Sequence, residues 1–167
     1  KVGCGNAGNL GCMDHSGDTI RWAAFEHSEH GILTAMKELS LDILALPGAR
    51  LPSGFSLGAE SGLEAECVRK GDTRLDTYAS IAVCWGKNNN IRVVRGVGRT
   101  RRIWLMIKTG VKSYLFNGFV YMPPAGDEAR ETAWHAELTG TMEDIAYIRT
   151  RWGKESHIIV IGDLNVE

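Results

Sequence analysis

The sequence predicts an α+β fold: a mixed β-sheet with two main helices on one face, as in half of a layered sandwich. Three observations lead there. Apolar runs of strand length recur along the chain, and most are not separated by a helix, which argues against a doubly wound parallel sheet. Two longer stretches carry apolar residues at helical spacing. The resulting order is β-α-β, a β-meander, then α-β.

Each element has its own signal. Lys1–Gly11 is a short, glycine-rich strand candidate that ends in a turn. Asp18 or Thr19 caps a helix running to about Leu39, with Trp22, Phe25, Ile32, Met36 and Leu39 on one apolar face. Leu41–Leu46 is a compact apolar strand closed by Pro47-Gly48. Residues 51–77 are rich in Gly, Ser and Glu and read as a long loop, with a short helix near Leu63–Val68. Ser80–Trp85, Asn88-Asn89-Asn90 and Ile91–Val94 read as a β-hairpin. Ile103–Ile107 and Tyr114–Met122 are two further strands, the second ended by Pro123-Pro124. Trp134, Leu138, Met142, Ile145, Ile148 and Trp152 trace a second amphipathic helix, stopped by Gly153. Ile158–Ile161 closes the order as a strand buried on both faces.

Composition narrows the function classes. The 167 residues suit one domain with a real core. A net charge of −1 provides no global pull toward nucleic acid or anionic membrane, so any such attraction must be local. Cys4, Cys12, Cys67 and Cys84 form no CxxC pair, which fits reduced, mostly buried thiols in a reducing compartment. No apolar run reaches the roughly 18 residues of a membrane span, and no signal-peptide pattern opens the chain. The chain starts at Lys1 rather than Met and stops two residues after Asn165, so both ends read as cut edges. The expectation is a single, C-terminally incomplete domain over residues 1–167.

The chemistry gathers at the last strand. Asp163 and Asn165 are two residues apart, a spacing that puts both side chains on one side of an extended segment. A carboxylate there can bind a metal or hold a water, and a carboxamide can donate to a phosphate oxygen. Gly-Asp and Asn are also ordinary turn residues, so a polar turn is the plain alternative.

Lys1-Val-Gly-Cys-Gly-Asn6, Val120-Tyr121-Met122-Pro123-Pro124 and Gly162-Asp163-Leu164-Asn165, taken together, resemble motifs of the endonuclease/exonuclease/phosphatase superfamily, the fold of DNase I and apurinic endonucleases. The nearest likeness is to endonuclease domains of non-long-terminal-repeat retrotransposons. Lys1-Val-Gly-Cys-Gly-Asn6 resembles the first strand with its catalytic asparagine. Val120-Tyr121-Met122-Pro123-Pro124 resembles the Tyr-x-Pro strand end, and Gly162-Asp163-Leu164-Asn165 the Gly-Asp-x-Asn motif. Leu41–Arg50 resembles the second strand, which usually ends Leu-Gln-Glu-Thr-Arg. The resemblance implies that Asp163 orients or deprotonates the attacking water and that Asn165 helps hold the scissile phosphate. Tyr121 would donate to that phosphate, and Asn6 would steady the site.

The departures point away from catalysis. The family's metal-binding glutamate falls at Gly48, and the later Asp-His pair has no counterpart; Asp14-His15 has the letters in the wrong place. Mg²⁺ prefers carboxylate oxygens in near-octahedral geometry, so Mg²⁺ is expected only if a working enzyme is present. Glu60, Glu64 and Glu66 are the acids that could fill the vacant position. The expected function is therefore a catalytically inactive module, structural or docking, in a larger assembly. The alternatives are a Mg²⁺-dependent endonuclease shown in part and a non-cleaving nucleic-acid binder. A half sandwich exposes an apolar face and a strand edge, so a covering protein partner is expected.

Two other constellations stand out. Cys12, His15, His27 and His30 have zinc-like spacing, although His27 and His30 also fit the solvent side of a helix. Arg92, Arg95, Arg99, Arg101 and Arg102 form a basic cluster that could grip a phosphate backbone. A charge-protected edge strand or a docking surface for an acidic partner explains them equally well. The tryptophans read as core and interface anchors rather than base-stacking platforms.

Overall fold

The computed structural model describes residues 1–4, 32–48, 61–68, 81–87, 90–98, 101–123 and 126–165. Asn6, Cys12, Asp14, His15, His27, His30, Glu60 and Arg99 lie outside these residues, as does the first part of the predicted first helix.

Two mixed four-stranded sheets pack face to face. The first has the order β1-β2-β4-β3, built from β1 (Val2–Cys4), β2 (Ile43–Pro47), β3 (Leu63–Val68) and β4 (Ile81–Gly86). The second has the order β5-β6-β7-β8, built from β5 (Ile91–Val93), β6 (Arg102–Lys108), β7 (Tyr114–Tyr121) and β8 (His157–Asp163). The pairs β1–β2 and β7–β8 are parallel and the rest antiparallel. β2 and β4 carry five consecutive buried residues each, as expected of strands covered on both faces.

Residues at alternate positions meet between the sheets. Ile43, Ala45, Ile81, Val83, Trp85, Ile103, Leu105 and Phe119 form this central core. The opposite face of the first sheet, with Leu44, Leu46, Ala82 and Cys84, is covered by Ile32 and Met36 of helix α1 (residues 32–38). The opposite face of the second sheet, with Trp104 and Phe116, is covered by Ile148 of helix α2 (Glu128–Trp152).

The α+β layered sandwich predicted from the sequence is therefore present, with several corrections. Strands of both sheets are supplied, not one sheet with little of the second, because the meander splits between layers. Each helix covers the outer face of its own sheet rather than sharing one face. Leu63–Val68 is an edge strand and not a short helix, because pairing with β4 satisfies its backbone. Ser80–Trp85 and Ile91–Val94 do not form a hairpin: β4 pairs with β2 and β3, whereas β5 pairs with β6.

Helix α2 begins earlier than its apolar periodicity shows. Asp127 caps it, with Oδ1 accepting from Arg130 N at 3.1 Å. Its buried stripe also differs from the predicted one. Leu138 and Met142 are exposed, whereas Thr141 and Asp144 are buried beside Ile148. Polar partners on the sheet explain the exchange. Asp144 Oδ2 accepts from Arg102 Nε (2.9 Å), Trp104 Nε1 (2.8 Å) and Gly98 N (3.1 Å).

Candidate functional site

The site is built at the carboxyl ends of β7 and β8. Tyr121 is the register partner of Asp163, and Met122 N donates to Asp163 O at 2.9 Å. On the other side, Tyr121 N donates to Arg101 O at 3.0 Å. Arg101, Tyr121 and Asp163 thus form one row across three strands. Side chains two residues further into the sheet in each strand, Ile103, Phe119 and Ile161, belong to or pack on the central core. Strand alternation then aims the row inward, between the sheets.

Gly162 is placed by the same close pairing. A Cβ there would lie 1.9 Å from the Val120 carbonyl oxygen, so the backbones of β7 and β8 can approach only at glycine. Sequence patterning treats this residue as the strand's end, yet β8 runs through it to Asp163.

Asp163 and Asn165 do not share a side in the predicted way. β8 ends at Asp163, and Asn165 adopts a left-handed backbone with φ 45°. Its Nδ2 donates to Met122 O at 2.7 Å, and its own N–H donates to Asp163 Oδ1 at 3.2 Å. The carboxamide thus locks the exit of β7 against the exit of β8 and gives one donor hydrogen to the backbone. Trp134 Nε1 of α2 adds a third tie, to Leu164 O at 3.0 Å.

The first sheet contributes its own strand ends. β1 runs parallel to β2, with Cys4 opposite Ala45. Burial raises the pKa of the Cys4 thiol, and the nearby negative charge of Asp163 raises it further. Cys4 is therefore a neighbour of the site that sequence reading missed. Its only signal is its place two residues before Asn6. Gly48 follows β2 with φ 71°, a conformation that L side chains rarely adopt.

Among the described residues, the donor set does not fit a divalent metal. Asp163 supplies a carboxylate, Gly48 can offer only its backbone, and no three His, Cys, Asp or Glu side chains are grouped for coordination. Glu64 and Glu66 lie on β3, engaged by Trp85 Nε1 at 2.8 Å and Arg95 Nη1 at 3.1 Å respectively.

The arginine cluster separates into unlike parts. Arg92 is exposed on β5, and Arg95 is exposed and paired with Glu66. Arg102 is buried beneath α2, where Asp144 and Glu137 neutralise it. Arg101 is also buried but faces the other way, with its guanidinium carbon 5.6 Å from the Tyr121 ring centroid. The tryptophan reading holds for Trp85 and Trp104, both buried in core clusters.

No protein-family profile matches the chain, and no curated protein sequence does. Solved structures do. The chain is similar to an AP endonuclease from Archaeoglobus fulgidus, with TM-score 0.57 and 17% identity, covering 85% of this chain and 54% of that one. It is similar to the human Nocturnin catalytic domain, with TM-score 0.55 and 15% identity, covering 89% and 60%. It is also similar to a mannosyl-6-phosphatase from Bacteroides thetaiotaomicron, with TM-score 0.55 and 15% identity, covering 99% and 65%. The likeness shows the fold, a DNase I-like α+β sandwich. The chain spans roughly half to two thirds of the length of these structures.

Proposed function

We propose that this chain is an endonuclease-like module, of retrotransposon ancestry, that binds a protein partner rather than cutting. The observation that carries the reading is the outer edge of β8. Among the described residues β8 pairs only with β7, yet its apolar residues line both faces. Ile159, on the inner face, is 46% exposed, and Val160, on the outer face, is 40% exposed. A flat apolar edge of this kind is an adhesive surface unless another strand covers it.

Two neighbours support the same reading. Leu138 and Met142 are exposed on the flank of α2 that holds Trp134 against Leu164. Asn117 is 1% exposed, and its register partner on β8 is Ile159. Neither Asn117 Nδ2 nor Oδ1 has a hydrogen-bond partner among the described residues. A buried carboxamide left in that state costs about 1–3 kcal/mol. A segment laid along β8 would bury Ile159.

The metal-dependent alternative is less favoured because Gly48 stands where the resemblance places a carboxylate. Two measurements test the choice. Hydrogen exchange at the β8 amides that point away from β7 should be fast in the isolated chain and slow in the chain purified with its native assembly. A clean monomer already protected at β8 would sink the docking reading. Plasmid cleavage in Mg²⁺ that disappears in Asp163→Ala would restore the enzyme.

A further inference from the structure

The free edge of β8 is complementary to itself. Met122 N donates to Asp163 O, so Asp163 turns its backbone polar groups toward β7. The register with β7 runs unbroken from His157 to Asp163, and successive residues of a strand turn these groups to opposite sides. The N–H and C=O groups of Ile158, Val160 and Gly162 therefore point away from β7, and no strand among the described residues meets them. Side chains alternate too. His157, Ile159, Ile161 and Asp163 share the inner face, where Ile161 packs on the central core, and Ile158 and Val160 share the outer one.

A second copy related by a two-fold axis at Val160 fits this edge. Val160 lies opposite its own counterpart and Ile158 opposite the partner's Gly162, as hydrogen-bonded pairs that use all the outward N–H and C=O groups. Between them, Ile159 faces the partner's Ile161, and His157 faces the partner's Asp163. These are the closer, non-hydrogen-bonded pairs, with Cα atoms about 4.5 Å apart. His157 is exposed and free to turn toward the carboxylate. Asp163 Oδ1 accepts from Asn165 N at 3.2 Å, which leaves the carboxylate with acceptor capacity for an imidazole N–H.

Charge selects this register over its neighbours. An axis one residue earlier, at Ile159, sets Glu155 against the partner's Asp163, two like charges on opposed strands. An axis one residue later, at Ile161, sets Ile159 against that carboxylate. Only the axis at Val160 matches apolar with apolar and imidazole with carboxylate. The outer face adds to it. Leu138 and Met142 are exposed on α2, four and eight residues beyond Trp134, which holds Leu164. The same axis places both α2 flanks on one side of the joined sheet.

We propose that the partner on the β8 edge is a second copy of this chain, paired antiparallel about Val160, with His157 of each copy donating to Asp163 of the other. The inference rests on the docking reading and names its occupant. It also makes the strand ends at β7 and β8 a shared site, since each Asp163 then takes a hydrogen bond from the other copy.

Sedimentation equilibrium of the whole chain over a concentration series, with hydrogen exchange at the outward β8 amides, makes the test. The wild type should form a dimer and nothing larger, because the pairing uses up the edge. His157→Glu opposes two carboxylates at both pairs and should weaken dimerisation by about tenfold or more. Adding Asp163→Asn, which keeps the acceptor for Asn165 N and offers an amide donor to the new carboxylate, should recover most of that loss. Val160→Lys sets two like charges on the axis and disrupts independently of His157. Lys112→Glu, in the exposed turn between β6 and β7, should dimerise as wild type does. The inference is overturned if His157→Glu and Val160→Lys both dimerise as wild type does, or if the double variant recovers nothing. A dimer whose outward β8 amides still exchange fast overturns it too. A monomer at every concentration, with β8 slow only in the native assembly, removes the second copy and leaves the docking reading standing. A monomer with β8 already slow removes both.

Discussion

Arg102 Nε on β6 donates to Asp144 Oδ2 on α2 at 2.9 Å, beside the apolar cluster of Trp104, Phe116 and Ile148. The same carboxylate oxygen accepts from Trp104 Nε1 and Gly98 N. One aspartate thus fastens the helix, the sheet and the segment after β5. Asp144→Ala should destabilise the chain by about 3–5 kcal/mol, because a guanidinium and two N–H groups lose their acceptor together. The double replacement Arg102→Met with Asp144→Leu should cost far less than the sum of the single changes. Urea denaturation of wild type, Asp144→Ala, Arg102→Met, Asp144→Leu and the double variant checks both statements.

Gly162→Ala should destabilise by at least about 1–3 kcal/mol, the usual cost of overpacking. The added methyl group would meet the backbone carbonyl of Val120, which cannot turn aside as a side chain could. The strain falls beside Asp163. Amide exchange at Met122, whose N–H donates to Asp163 O, should therefore quicken more than exchange in β4.

Ile159→Lys and Val160→Lys should change the stability of the isolated chain by no more than about 0.5 kcal/mol, as exposed positions do. Both should reduce self-association and block capture of a partner, because lysine on an edge strand discourages pairing. Light scattering across a concentration series reads the first effect, and copurification from a native extract reads the second. A large loss of stability would show that these residues are already covered.

The Cys84 thiol is pushed up to about 12 from its ordinary 9.0, first by burial and then by the charge of Cys67. Below pH 9 the thiol is protonated in both the folded and unfolded chains, and stability is unaffected. Above that, the unfolded thiol ionises while the folded one holds its proton, so stability falls by about 1.4 kcal/mol per pH unit toward pH 12. Denaturant midpoints at pH 8 and pH 10 should diverge in the wild type and diverge less in Cys84→Val.

The sequence alone was enough for the α+β class and for six of the strands at nearly their observed places. Apolar runs such as Ile43–Leu46 and Ile81–Trp85 record burial directly, and the turn residues around them record where it stops. Ile158–Ile161, expected to be buried on both faces, instead leaves Ile159 and Val160 exposed, because β8 pairs with β7 alone among the described strands. Sheet membership was not legible, because β4 and β5 look like hairpin partners until the second layer claims β5. Leu63–Val68 has no strong period of its own, and only pairing with β4 makes it a strand. In α2 the apolar count favoured Met142, but Arg102 and Trp104 needed an acceptor, so Asp144 took the buried place. The arginines show the division most clearly. As a string, Arg101 and Arg102 are equivalent neighbours. Strand alternation sends one between the sheets and the other under the helix, and only the tertiary structure decides which of the two finds carboxylates.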